Sequence, residues 1–111
     1  MEIKKVVIIG SGTMGSGIAA HLCNANIPVT LLDLKTDISL AARENIYKSR
    51  PPLLIDKTKI ENIKVGNIND NFDVVKDADW IVEAVVERID IKHNIYEKIF
   101  KNRKKGAIVS S

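Results

Sequence analysis

Val6, Val7, Ile8 and Ile9 run directly into glycines at positions 10, 12 and 15, so a β-branched segment gives way at once to a G-x-G-x-x-G turn. No other feature of the 111 residues limits the fold as much. A continuous apolar run reads as a strand buried on both faces, as in a parallel sheet. Parallel neighbours need a crossover connection, usually a helix. Residues 13–25 provide one, because Ile18, Ala19, Leu22 and Cys23 recur at helical spacing and the turn residues from Asn24 to Pro28 end it. The three glycines then have separate uses. Gly10 permits the sharp turn from strand to helix, Gly12 leaves the main chain bare enough for a pyrophosphate to approach, and Gly15 lets the helix pack closely on the strand. The backbone N–H groups that open the helix, together with its dipole, favour the phosphate charge.

The same alternation continues along the chain. Pro28 releases a second strand, Val29 to Leu32, which ends at Asp33, and DISLAARENIYKS places Ile38, Ala41, Ala42, Asn45 and Ile46 at helical spacing before Pro51 and Pro52 stop it. Residues 53–61 lack a clean period and read as a short helix or a loop, followed by a short third strand at Ile60 to Val65. FDVVKDAD reads as a short helix and WIVEAVV as a fourth strand. RIDIKHNIYEKIFKNRK reads as a helix with Ile91, Ile95 and Ile99 on one stripe, and AIVS as a fifth strand. Strands alternating with helices define the α/β class, here a doubly wound parallel sheet expected in the order 3-2-1-4-5. Repeats, low-complexity tracts and linkers are absent from the sequence, so residues 1–111 are expected to form one domain with a single modest core.

Charge and cysteine content remove several classes of function. A formal net charge of +3 is too small to argue for nucleic acid, and much of it lies in KNRKK, Lys101 to Lys105, which reads as a solvated helix terminus. Aromatic residues that could stack bases are not interleaved with it. Cys23 is the only cysteine, so no internal disulfide or cysteine-based metal site is possible, and no metal is expected. The opening MEIKKVVIIG has the charge of a signal peptide but too short an apolar run, and nothing later approaches membrane-spanning length. The expected setting is cytoplasmic, with neither membrane nor nucleic acid as partner.

Asp33 completes the motif. It follows Gly15 by 18 residues (33 − 15) at the end of the next strand, the position from which a carboxylate grips the hydroxyls of an adenine ribose and repels a 2′-phosphate. NAD is therefore the expected cofactor in preference to NADP, with Lys35 softening that choice slightly. A packing role for the glycines and a capping role for Asp33 form the competing account.

The stretch GSGTMGSGIAAHLCNANIPVTLLD resembles the N-terminal segment of 3-hydroxyacyl-CoA dehydrogenases, DADWIVEAVVERIDIKHNIYEKI resembles that family's V-E-A-x-x-E-x-x-x-x-K signature, and AIVSS resembles the lead-in to its S-N-T-S loop. The likeness runs from residue 3 to residue 111 and looks closest to the bacterial multidomain forms. It implies a Rossmann-type NAD-binding domain of an oxidoreductase of fatty-acid β-oxidation. It places Ser11, Gly12, Thr13 and Met14 on the pyrophosphate, between Gly10 and Gly15, and Asp33 on the ribose. Ala84 and Val85 would line the nucleotide crevice, Glu87 and Lys92 would lie near the nicotinamide and its ribose, and Ser49 would lie near the CoA portion of an acyl-CoA substrate. Without the resemblance, Glu87 and Lys92 read as solvent-facing charges at a helix start.

Departures from the family bear on mechanism. Its catalytic serine, histidine, glutamate and asparagine have no counterparts among these residues, nor has its helical substrate and dimerisation domain. His21 and His93 read as structural, since neither has a partner acid at motif spacing. No catalytic residue is therefore expected here, and acyl-CoA binding is expected only together with that further domain. Two other accounts stay open, a stand-alone module that reads NAD and a non-functional gene remnant.

Overall fold

The computed structural model describes residues 3–85 and 89–110. Five strands, β1 (Val6–Ile9), β2 (Val29–Asp33), β3 (Ile63–Asn67), β4 (Trp80–Glu83) and β5 (Ile108–Ser110), form one sheet in the order β3-β2-β1-β4-β5. Every pairing is parallel. Helices α1 (Thr13–Asn24), α2 (Thr36–Lys48) and α3 (Ile89–Asn102) connect them, with two 3-10 turns at Lys57–Asn62 and Phe72–Asp77. The expected strand order is the observed one.

Side chains alternate across each strand, and the core divides accordingly into two layers. Val6, Ile8, Val29, Leu31 and Val82 face α1 and α2, meeting Ala19, Cys23, Ala42 and Ile46. Val7, Ile9, Leu32 and Ile81 face the other way, against Phe72, Val75, Ile95 and Ile99. Ile95 and Ile99 thus lie on the buried face of α3, as their spacing requires; the side chain of Ile91 lies outside the described residues.

Several boundaries differ from the sequence expectation for physical reasons. β1 begins at Val6 rather than Ile3, because the N–H groups of Lys4 and Lys5 donate to the Asp79 carboxylate at 2.9 and 3.0 Å instead of to a neighbouring strand. β4 is described through Glu83, the Val85 N–H beyond it being taken by the Glu83 carboxylate at 2.6 Å instead of by a neighbouring strand, and Val86, expected in the same strand, lies outside the described residues. β3 starts at Ile63 rather than Ile60, since the preceding 3-10 turn takes up residues through Asn62.

Asp79 joins three elements at the edge of the sheet opposite the glycine turn. Besides the two backbone donors it binds the Lys104 ammonium. The Lys104 hydrogen bond, and then those of Lys4 and Lys5, lower its pKa from 3.8 to about 2. A depressed folded-state pKa contributes stability above the unfolded value, and that stability is lost as pH falls from about 4 towards 2. Asp79→Asn is expected to flatten the acid limb of the melting temperature in that window while leaving its slope between pH 6 and 8 unchanged. An unaltered acid limb in the variant would show that other carboxylates dominate.

Candidate functional site

The turn after β1 is held by its neighbours on both sides. The Gly10 N–H donates to the Leu32 carbonyl of β2, and the Ala84 N–H donates to the Ile9 carbonyl, each at 2.7 Å. Gly10 has φ +107°, and a Cβ there would stand 2.7 Å from the Ala84 carbonyl carbon, so a side chain is excluded by both conformation and space. At Gly15 a Cβ would lie 2.0 Å from the Gly10 carbonyl oxygen. Gly12 is different: a Cβ would meet no protein atom within 4 Å. Gly12 is the N-cap of α1, and no side chain caps that end, which leaves its first-turn N–H donors directed at whatever occupies the space.

Asp33 sits beside this turn. Its Oδ2 accepts the Ser11 N–H at 2.8 Å and the Ser11 hydroxyl at 2.6 Å, and its Oδ1 accepts the Leu34 N–H at 2.7 Å. The carboxylate is thereby fixed in direction, with acceptor capacity remaining on Oδ1 and, when the Ser11 hydroxyl rotates, on Oδ2. Gly10, Ser11, Gly12, Asp33, Ala84 and Val85 are brought together around one cavity of about 240 Å³. Asp33, Ala84 and Val85 are far from the glycines in sequence, and the parallel register of β1 with β2 and β4 sets all three at its carboxyl edge. A wider apolar groove of about 790 Å³, not foreseen from sequence, opens between α1 and α2 and shares Ser11, Gly12 and Ile38 with that cavity.

On the other side of β4 lies a residue that sequence reasoning passed over. Glu83 is fully buried. Its Oε2 accepts the Val85 N–H at 2.6 Å and its Oε1 lies 3.2 Å from the Lys92 ammonium. The signal was present in the sequence, an acid inside an otherwise apolar strand.

The remaining candidates are dispersed. Thr13 and Met14 lie exposed in the first turn of α1, and Thr13 borders the groove. Lys92 lies in the first turn of α3; Glu87 lies outside the described residues. Ser49 caps the end of α2, donating its hydroxyl to the Ile46 carbonyl at 2.9 Å and accepting the Leu53 N–H at 2.8 Å. His21 stands exposed in the last turn of α1, away from the glycine turn, and His93 is exposed on α3. Among the described residues, no cluster of histidine, cysteine or acid could hold a metal, and no helix is long and apolar enough to cross a membrane.

A bare, uncapped helix N-terminus, an open space at Gly12 and a carboxylate at the tip of the next strand, all at the switch point of a parallel sheet, define a Rossmann-type dinucleotide-binding domain. Comparison with known proteins gives the particular group. Residues 5–111 match the family described as the NAD binding domain of 3-hydroxyacyl-CoA dehydrogenase, and the chain belongs to that family, with NAD as its cofactor. A probable 3-hydroxyacyl-CoA dehydrogenase of Deinococcus radiodurans is 45% identical over 118 residues, covering 100% of this chain and 34% of that protein. A putative fatty acid oxidation complex trifunctional enzyme of Rickettsia felis is 41% identical, covering 99% of this chain and 16% of that protein. The chain thus spans about a third or less of the length of these relatives. The crystal structure of a 3-hydroxybutyryl-CoA dehydrogenase from Escherichia coli K12 has the same fold, with a TM-score of 0.82 at 21% identity, over 99% of this chain and 25% of that one.

Proposed function

We propose that these residues supply the NAD-binding part of a 3-hydroxyacyl-CoA dehydrogenase, with the pyrophosphate over Gly10 to Gly15 and the adenine ribose on Asp33. The observation that carries the reading is the open space at Gly12 beside a carboxylate whose direction is already set by Ser11. Bound there, NAD supplies a hydride acceptor for C3 of a 3-hydroxyacyl-CoA, which becomes the 3-oxoacyl-CoA. The residues of this chain bind and orient. N–H groups of the α1 first turn meet the phosphate charge, Asp33 accepts from ribose hydroxyls, and Ala84 and Val85 form the apolar wall of the crevice. Ser49, at the end of α2, is proposed to face the CoA portion of the substrate, and Glu87 and Lys92 the nicotinamide end. The relatives' names include a fatty acid oxidation complex, which supports placing the substrate among acyl-CoA thioesters. Residues 1–111 are proposed to act as one domain, with the proton-transfer groups supplied from outside it.

The test is the choice of nucleotide. Asp33→Ala is expected to weaken NAD binding by about 1 to 3 kcal/mol, because buried ribose hydroxyls lose their acceptor. The unaltered chain should bind NADP more weakly than NAD. Equal affinities for the two nucleotides in titration calorimetry would take Asp33 off the ribose.

A further inference from the structure

A carboxylate in the interior is unfavourable unless every lone pair that faces protein has a partner. Among the described residues, Glu83 has two partners, and they lie at opposite ends of one connection. Oε2 holds the Val85 N–H, just past the end of β4, and Oε1 holds the ammonium of Lys92, in the first turn of α3. The first of these two points adjoins the glycine turn, since the Cβ position of Gly10 abuts the backbone of Ala84 and Val85. Lys92 is also in an unexpected place for helix stability. A cation in the first turn opposes the helix dipole, so its location there is explained by the buried carboxylate with which it pairs.

We propose that Glu83 is a positioning residue for the nicotinamide end of the cofactor. Its buried carboxylate fixes the Val85 peptide as the wall of the crevice and anchors the Lys92 side chain, so that an ammonium donor is held at the crevice mouth before the nucleotide arrives. A lysine side chain has several rotatable bonds, and ordering one only upon binding lowers affinity. A salt bridge to a carboxylate that is itself 0% exposed removes that cost in advance. The proposal rests on the NAD-binding reading above and adds to it a residue that touches no part of the nucleotide.

The experiment compares NAD with ADP, which lacks the nicotinamide and its ribose, by titration calorimetry on the full chain. Glu83→Gln conserves volume and can still accept the Val85 N–H, but it loses the ion pair. It is expected to weaken NAD binding about tenfold, the scale of one charge-assisted hydrogen bond, and to leave ADP binding unchanged. Lys92→Met should cause a similar loss, and the double variant should be no weaker than Lys92→Met alone. Equal losses for NAD and ADP would make Glu83 a merely structural residue and overturn the proposal, as would an unchanged NAD affinity in Glu83→Gln. If circular dichroism showed Glu83→Gln unfolded, Glu83→Asp, which keeps the charge but shortens its reach to Lys92, decides in its place: NAD weakened with ADP retained supports the proposal, and equal losses or an unchanged NAD affinity overturn it. Absence of NAD binding by the unaltered chain would refute the underlying reading and this proposal with it.

Discussion

Gly15→Ala is expected to cost about 3 kcal/mol or more, a large share of the stability of a domain this size. The added methyl would fall 2.0 Å from the Gly10 carbonyl oxygen and 3.3 Å from an Ile8 methyl group. The oxygen is backbone, at the end of a strand fixed by neighbours on both sides, and has no rotamer by which to yield. Relief would require α1 to move away from β1, opening the layer that contains Ile8, Ala19 and Cys23. The melting temperature should fall by roughly 15 °C. Gly12→Ala provides the contrast: its φ of −70° suits alanine and its Cβ would point into open space, so stability should change by no more than about 1 kcal/mol, the loss of a glycine N-cap. Its NAD affinity should nevertheless collapse, because the methyl stands where the pyrophosphate approaches. Gly17→Ala completes the set, since a methyl there meets nothing within 4 Å and a helix-interior glycine replaced by alanine gains about 0.5 to 1 kcal/mol. Thermal melts and NAD titrations of the three variants separate packing from ligand approach; a Gly15→Ala melt matching the parent would refute the packing account.

The second large effect concerns turnover. The 111-residue chain, assayed by itself, is expected to bind NADH but not to reduce acetoacetyl-CoA. The groups that cradle a dinucleotide are present, whereas the two histidines, His21 and His93, are both exposed and neither is held by a carboxylate in any hydrogen bond among the described residues. A general base needs an orienting partner and a substrate within reach. Positioned acid–base catalysis contributes about 10² to 10⁴-fold and substrate positioning a further large factor, so NADH absorbance with micromolar protein should show no rate above background. A rate abolished by changing His21 or His93 would mean that the chain carries its own base.

The part of the site that sequence makes plain is the part that is contiguous. Val6 to Gly15 carries strand, turn and helix start in ten residues, and each glycine has a local steric reason that can be read without knowing the fold. Asp33 is legible because a parallel crossover fixes how far the next strand tip lies from the turn. Residues 53–61 show no period because their order comes from elsewhere: Asn24 bonds the Leu53 carbonyl and the Ile55 N–H, and the Arg43 guanidinium holds the carbonyls of Ile60 and Ile63. Glu83 was hidden for a related reason. Its partners, Val85 and Lys92, belong to a strand end and a helix start whose approach depends on how the sheet is assembled, and an acid within a strand carries no label for the side on which it finds its cation.

The first strand of this sheet in chain order is also the central one, and this bears on the order in which the crevice can form. Val6 pairs with Val29 on one side and with Trp80 on the other, and the Lys5 N–H reaches a carboxylate 74 residues away. As the chain leaves the ribosome, β1, α1 and β2 can join early through local contacts, giving the glycine turn and Asp33 one wall to face. The opposite wall, Ala84 and Val85, arrives only after a long loop has closed. Both walls of the crevice exist only after β4 has docked, so on the NAD-binding reading proposed above the nucleotide would stabilise the assembled sheet rather than template it.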